Sequence, residues 1–418
     1  MDSTQKKEFK LRRDNLLKTI GNDGIAIVFS AKECCEYHPY QQNSDFYYLT
    51  GFIEPESVAV LIPGRCNSEF ILFNREHDPK KEIWHGAITG QKGACKDFGA
   101  DQAVAISEID KVLPKLLASR KNIYSNTNAS DKFDQKIAFW VKKIGIKSHE
   151  LISINNILHE MRVKKSNFEL NAIRKAVEIT TAGHLRAMQK CIPKIYEFEL
   201  EAEILHEFMR LGGCRPAFPT IIASGINACT LHYSKNNKKI TKKELILIDA
   251  GARYQNYCAD VSRTFPVNGK FTRKQQTCYE IVLNAQIETI KKIRPGVRWD
   301  HLQSTAEKVI TKGLMDAKIL HGNIESLVTK QKFKPFFMHK IGHWLGLEPH
   351  DAGKYCIKNK WRTLEPGMVL TVEPGIYLKT LGMGIRIEDN ILVTSHGCEV
   401  LTSEIPKSVT EIEKIMGK

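Results

Sequence analysis

No run of about 18 consecutive apolar residues occurs anywhere in this 418-residue chain, so no membrane-spanning helix is expected. The opening residues, MDSTQKKEFKLRRDN, lack the apolar stretch that an export signal needs. No Cys-x-x-Cys pair is present either. Eleven cysteines are scattered along the chain, and only Cys34 and Cys35 are adjacent. An odd, dispersed set excludes a disulfide framework and a zinc ribbon, and fits reduced thiols in a cytoplasmic protein. Low-complexity tracts are missing. With 42% hydrophobic and 26% charged residues, the chain is not of the disordered class. Its length suits two or three domains whose cores need no covalent staples.

An acidic excess is absent too: 62 basic residues against 47 acidic ones leave a formal charge of +15. Such a balance raises nucleic acid or an anionic membrane as partners. The lysines, however, come as separated pairs such as Lys6-Lys7, Lys80-Lys81, Lys142-Lys143 and Lys291-Lys292. The one dense run, 235–243, reads as an exposed loop. Dispersed charge of this kind is a solvated surface, so neither nucleic acid nor membrane is expected as a partner.

What is present is periodic. The runs IAIVF (25–29), VAVLI (58–62) and FILF (70–73) read as buried strands, and 8–20, 108–119 and 131–144 as amphipathic helices. This alternation predicts an N-terminal α/β domain over 1–155. The remainder, 156–418, repeats one plan. Ser166 and Glu169 form a capping box that opens a helix to about residue 190. A second helix over 197–211 stops at Gly212-Gly213, and strands 244–251 and 257–265 follow. Then Thr272 and Gln275 open another helix, Asp300 caps a further one, and strands 368–378 and 384–394 follow. Residues 319–337 read as irregular. Two helices and then a pair of acid-bearing strands, twice over, predict an α+β domain of two pseudo-symmetric halves facing each other.

The acids lie in apolar surroundings. Asp249 ends LILID, Asp260 sits in CADVS, Glu373 follows MVLTV, and Glu388 lies within GIRIEDNILV. Taken singly, each is an ordinary strand-end carboxylate or ion-pair partner. Taken together they form two pairs at corresponding places in the two halves. Four converging carboxylates repel unless cations lie among them. Two divalent ions balance four negative charges, the pattern of a two-metal hydrolytic centre with ions roughly 3.5–4 Å apart. HKIGHWLGLEPHD adds His339, His343 and His350. The spacing of His339 and His343 matches an HExxH zinc helix, but Lys340 stands where Glu is needed, and Gly342 and Gly346 oppose a helix. One imidazole among carboxylates is a hard donor set. It favours Mn²⁺, with Co²⁺, Fe²⁺ or Zn²⁺ as alternatives. A hydroxide bridging two such ions is a nucleophile at neutral pH. His232, in LHYS, does not rank above His206 or His301 on the residues alone.

At this point four segments carry a resemblance. LILIDAGARYQNYCADVSRTFPVNGKF, HKIGHWLGLEPHD, LTVEPGIY and GIRIEDN resemble the pita-bread metallopeptidases, which include methionine aminopeptidase, prolidase and aminopeptidase P. Residues 43–63 and 72–90 resemble the aminopeptidase P branch in particular, so the likeness covers nearly the whole chain. It implies an aminopeptidase-P-type α/β domain before a pita-bread catalytic domain. It also implies hydrolysis of an N-terminal Xaa-Pro bond and a homodimer or homotetramer. By the resemblance, Asp249, Asp260, His343, Glu373 and Glu388 are the metal ligands, and Glu373 also shuttles the proton. His232 and His350 flank the scissile bond, and His339 lies behind the ligands. Arg386 and Tyr377 stand at the substrate end of the cleft, and Trp84 is lent to a neighbouring subunit. Phe218, with His232 and His350, is a candidate wall of a proline pocket. The rival readings are a dipeptide-limited prolidase and a non-catalytic pita-bread binding module. The intact ligand set opposes the module.

Overall fold

The computed structural model describes residues 1–32, 40–118, 120–126, 132–143, 150–212 and 215–417. Cys34, Cys35 and Gly213 therefore lie outside the described residues. The chain divides into two compact units, Met1–Met161 and Arg162–Lys418.

The first unit is built on one mixed sheet. Its strands are β1 (Gly24–Phe29), β2 (Val58–Leu61), β3 (Phe70–Asn74), β4 (Gln102–Ala105), β5 (Asn122–Ser125) and β6 (Glu150–Ser153), in the order β4-β3-β2-β1-β5-β6. The β1–β2 and β2–β3 pairs are antiparallel, and the outer pairs are parallel. The β1 to β3 strands are buried throughout, which is why they read as continuous apolar runs rather than alternating ones. Ile25, Val60, Phe73, Leu113 and Trp140 fill one core cluster. The first helix, Ser3–Ile20, starts earlier than its apolar period, because Asp2 and Gln5 close a capping box.

The second unit shows the doubled plan. Helices Asn167–Lys190 and Glu197–Gly212 precede strands Leu245–Ala250 and Val261–Pro266, and helices Arg273–Ile290 and Trp299–Asp316 precede the second set of strands. Ser166 and Thr272 cap their helices as expected, each with a complete capping box. Asp300 does not cap its helix. Arg298 occupies the cap position, and Asp300 lies in the first turn, paired with Arg298. An acid favours either place, since both face the positive end of the helix. The expected strand 368–378 is interrupted at Glu373-Pro374, giving Val369–Val372 and Gly375–Leu378. Pro374 has no N–H for a ladder, so pairing has to stop there. Likewise 384–394 is two strands, Met383–Arg386 and Asp389–Val393. The stretch 319–337 is not wholly irregular, since it holds a short helix, Ile324–Thr329.

Strand pairing sets the positions of the acids. Leu245–Ala250 runs antiparallel to both Ile221–Ser224 and Val261–Pro266, with Asp249 opposite Ser262. Val369–Val372 runs antiparallel to Asp389–Val393. The halves are stitched directly where the Glu388 N–H donates to the Ser262 carbonyl (3.0 Å). A large apolar core, including Ile179, Phe208, Ile246, Phe265, Val282 and Leu370, lies beneath, with a smaller cluster around Ile221, Tyr233 and Leu247 beside it. Among the described residues no helix is long and apolar enough to cross a membrane.

Candidate metal centre

A cavity of about 80 Å³ in the second unit is lined by Leu231, His232, Asp249, Asp260, His339, His343, His350, Glu373, Arg386 and Glu388. Both predicted acid pairs thus meet at one place. Each arrives from a point where a strand begins, ends or breaks. Asp249 is on Leu245–Ala250, Asp260 immediately precedes Val261–Pro266, and Glu373 and Glu388 fall in the two interruptions.

His343 sits at the centre. Residues 338–350 are not helical, which leaves the HExxH alternative without its helix. The segment runs beside the 369–372 strand instead. The Thr371 N–H donates to the His343 carbonyl (2.9 Å), and the His343 N–H donates to Thr371 Oγ1 (3.0 Å). That close passage requires Gly342, because a Cβ there would collide with the Thr371 carbonyl oxygen. Gly342→Ala is therefore expected to cost about 1–3 kcal/mol and to weaken metal retention, read as a lower Tm and less metal per chain.

The His343 ring shows what the site is built for. Its Nδ1 lies 3.1 Å from the Trp344 carbonyl, so Nδ1 carries the proton and Nε2 a lone pair. That lone pair lies 3.4 Å from Asp260 Oδ2, 3.4 Å from Glu373 Oε1 and 3.9 Å from Glu388 Oε1. Protonation of Nε2 does not relieve the clash of lone pairs, because burial and the neighbouring His350 push the His343 pKa down to about 3. Ligand atoms of Asp260, His343 and Glu388 lie within 4.8 Å of one another. Asp249 Oδ1 and Asp260 Oδ1 are buried with no hydrogen-bond partner. Burial, and then mutual repulsion with Asp249 and Glu373, hold the Asp260 pKa well above the usual carboxylate range. Burial followed by Asp260 does the same for Glu388. A lone-pair nitrogen, crowded carboxylates and orphaned oxygens aimed at one space form a donor set that fits divalent cations.

Arg386 supplies the remaining positive charge. It is buried and donates to Asp249 Oδ2 (2.7 Å), Ser262 Oγ (2.8 Å) and the Tyr377 hydroxyl (3.0 Å). The chain of donors continues from the Tyr377 O–H to His339 Nε2 (2.9 Å), and from His339 Nδ1–H to the Lys340 carbonyl (2.8 Å). Burial and then Arg386 hold His339 neutral, with its pKa lowered to about 4. His232 and His350 are the exposed members of the set, and the His350 ring packs 4.2 Å from that of His343.

Tyr377 touches the site through His339 and Arg386 and is not itself in the cavity wall. Phe218 is half-buried and is not among the lining residues. Trp84 belongs to the first unit, where it is 83% exposed on the helix Pro79–His85. Three further residues were not singled out in the sequence. Ser262 donates to Glu388 Oε2 (2.9 Å), Thr371 holds His343, and the Asp260 N–H donates to Asn390 Oδ1 (3.1 Å). Their signal was faint: small polar residues facing inward from otherwise apolar strands.

The family model for metallopeptidase family M24 matches residues 171–395, and the model for the aminopeptidase P N-terminal domain matches residues 9–124. The chain belongs to metallopeptidase family M24. Within the family it is 40% identical to the Xaa-Pro aminopeptidase of Escherichia coli, with 100% of this chain and 99% of the relative aligned. A Haemophilus influenzae Xaa-Pro aminopeptidase is 37% identical over 100% of this chain and 98% of its own. Among solved structures it is similar to the Pseudomonas aeruginosa aminopeptidase PepP, with a TM-score of 0.96 at 42% identity. That match covers 99% of this chain and 98% of the other. A zinc-substituted E. coli aminopeptidase P in complex with product matches with a TM-score of 0.94 at 39% identity, over 99% of this chain and 98% of that one. The M24 match spans all the candidate ligands, from Asp249 to Glu388. The fold is accordingly an aminopeptidase-P-type N-terminal domain followed by a metallopeptidase domain, and the protein is a metal-dependent aminopeptidase.

Proposed function

We propose that the enzyme releases the first residue of peptides with proline in second position. It does so with two divalent ions, Mn²⁺ first, held by Asp249, Asp260, His343, Glu373 and Glu388 of a catalytic domain spanning 156–418. The observation that carries this reading is the His343 nitrogen lone pair facing three carboxylates. It does so in a chain aligned end to end with Xaa-Pro aminopeptidases. When bound, such ions make water a nucleophile near neutral pH and polarise a carbonyl.

The chain's own residues supply the rest. Glu373, bracketed by Thr371 Oγ1 (3.4 Å) and His339, takes the proton of the attacking water. It then delivers that proton to the departing proline nitrogen as the C–N bond breaks. His232 and His350, on the open side, hold the substrate carbonyl and stabilise the charge that grows on it. Arg386 and Tyr377 keep Asp249 and His339 in place. An Xaa-Pro bond has no N–H, so an enzyme that grips substrate by that group fails on it. A site that grips the free amino terminus does not. Trp84, exposed on its helix, is the residue a neighbouring copy would receive, in a homodimer or homotetramer. Cys66, Cys95, Cys229, Cys258, Cys278, Cys356 and Cys398 are free thiols, which supports a cytoplasmic place of action.

Turnover of a Gly-Pro-Xaa tripeptide with Mn²⁺ is expected, together with two metal ions per chain by elemental analysis and loss of activity on chelation. Undiminished turnover by the chelated, metal-free protein would overturn the metal assignment. A preference for Gly-Pro over the tripeptide would mark a prolidase instead.

A further inference from the structure

The segment 230–239 has almost no regular structure of its own, yet it carries Leu231 and His232 into the wall of the cavity. A single antiparallel bridge, Tyr196 to Lys239, holds its far end, and side chains place the part around His232. Glu197, the first residue of the helix Glu197–Gly212, is fully buried, and its carboxylate is saturated. Oε1 accepts from the Ser224 N–H (2.7 Å), the Ser224 hydroxyl (2.7 Å) and Asn227 Nδ2 (3.1 Å). Oε2 accepts from the Tyr233 hydroxyl (2.7 Å) and the Lys238 N–H (3.0 Å). One turn further along, Glu201 accepts from Asn236 Nδ2 (2.8 Å). The same Nδ2 also donates to the Thr220 carbonyl (2.8 Å), while Asn236 Oδ1 accepts from the Ile222 N–H (3.0 Å). Glu197 therefore ties Ser224 and Asn227, before His232, to Tyr233 and Lys238 after it, and Glu201 holds Asn236 in the same stretch. A buried charge is tolerated because every lone pair is occupied and the helix start is positive.

We infer that Glu197 is a positioning residue for His232, acting through Tyr233 and Lys238. The inference rests on the substrate-positioning role proposed above for His232. Glutamine has the same shape but cannot replace it. One nitrogen of its amide must point at a backbone N–H, that of Ser224 in one orientation and that of Lys238 in the other.

The test is a double-mutant cycle on Xaa-Pro tripeptide hydrolysis by the metal-loaded enzyme, using Glu197→Gln, His232→Ala and the pair. Glu197→Gln alone is expected to lower kcat about 10- to 100-fold at unchanged metal content, because small displacements of positioning groups are costly. In the His232→Ala background the same change is expected to have almost no further effect. Equal losses in both backgrounds, or a lower Tm with unchanged kcat, would overturn the inference. If His232→Ala itself turns over normally, the role of His232 fails, and the inference falls with its premise. Should Glu197→Gln not fold, Tyr233→Phe, which removes the hydroxyl bonded to Glu197 (2.7 Å) and, at 3.4 Å, to Asn237, replaces it in the cycle with the same expected pattern.

Discussion

Glu373→Gln is expected to lower kcat by about 10²- to 10⁴-fold, the range lost with a proton-transferring group, while the fold persists. The reasoning begins with the backbone. Residue 373 is fixed by its N–H donating to the Ile341 carbonyl (2.8 Å) and by Pro374, neither of which depends on the carboxylate. Glutamine keeps the shape and one acceptor oxygen for Thr371, but it neither takes up nor gives up the travelling proton. Stability should move in a direction that distinguishes this from damage. Burial and repulsion by Asp249 raise the Glu373 pKa above its ordinary value of 4.5, despite Arg386. A raised acid binds its proton more tightly when folded, so it costs stability as pH rises above the unfolded value. In metal-free protein, Glu373→Gln should therefore be as stable as the parent at low pH and increasingly more stable from about pH 4.5 to about 8, where the gain levels off. Stopped turnover combined with that pH-dependent gain in Tm would match the assigned role. Near-normal kcat would refute it.

Elements with a period or a cap could be read from the sequence almost to their ends. Ser166 opens Asn167–Lys190, Thr272 opens Arg273–Ile290, and the three apolar runs of the first unit are strands of one sheet. The acids were legible for a different reason: a carboxylate in an apolar run is costly and asks for an explanation. Long-range placement was less visible. Nothing in the spacing of Asp249 and Glu388 states that their strands converge, and the doubled element order only suggests it. Asp300 was misplaced because first-turn and cap acids answer the same electrostatics. The helix Ile324–Thr329 is too short to display a period. Ser262, Thr371 and Asn390 went unnoticed because small polar residues are common in strands, and their importance comes only from what the fold sets opposite them.

Arg263 is a buried tie across that convergence, and Arg263→Met is expected to cost about 3–5 kcal/mol, the usual loss on breaking a buried ion pair. Its side chain and that of Asp389 are both 0% exposed, joined at 2.7 Å. The guanidinium also donates to the carbonyls of Ser262 (3.0 Å), Glu388 (2.6 Å), Ile405 (3.0 Å) and Pro406 (3.0 Å). One side chain thus ties the first acid-bearing strand to the second and to the chain's end. Methionine fills much of the volume but leaves four carbonyls without this donor. Asp389 would keep only Lys407 and Thr402. The loss is large against a typical total of about 5–15 kcal/mol. The acid limb of stability gives an independent reading. Burial works against the Asp389 charge, yet Arg263 and then Lys407 hold its pKa down to about 2. Its stabilisation is therefore present above its ordinary value of 3.8 and lost as pH falls through about 2. Without Arg263 the folded-state value rises, so acid unfolding should begin at a higher pH than in the parent. Arg263→Lys, which keeps the charge but not the fork, should fall between the two in both Tm and acid midpoint. A methionine variant with parental stability and an unmoved acid limb would mean that the Arg263–Asp389 pair does not help hold the two halves together.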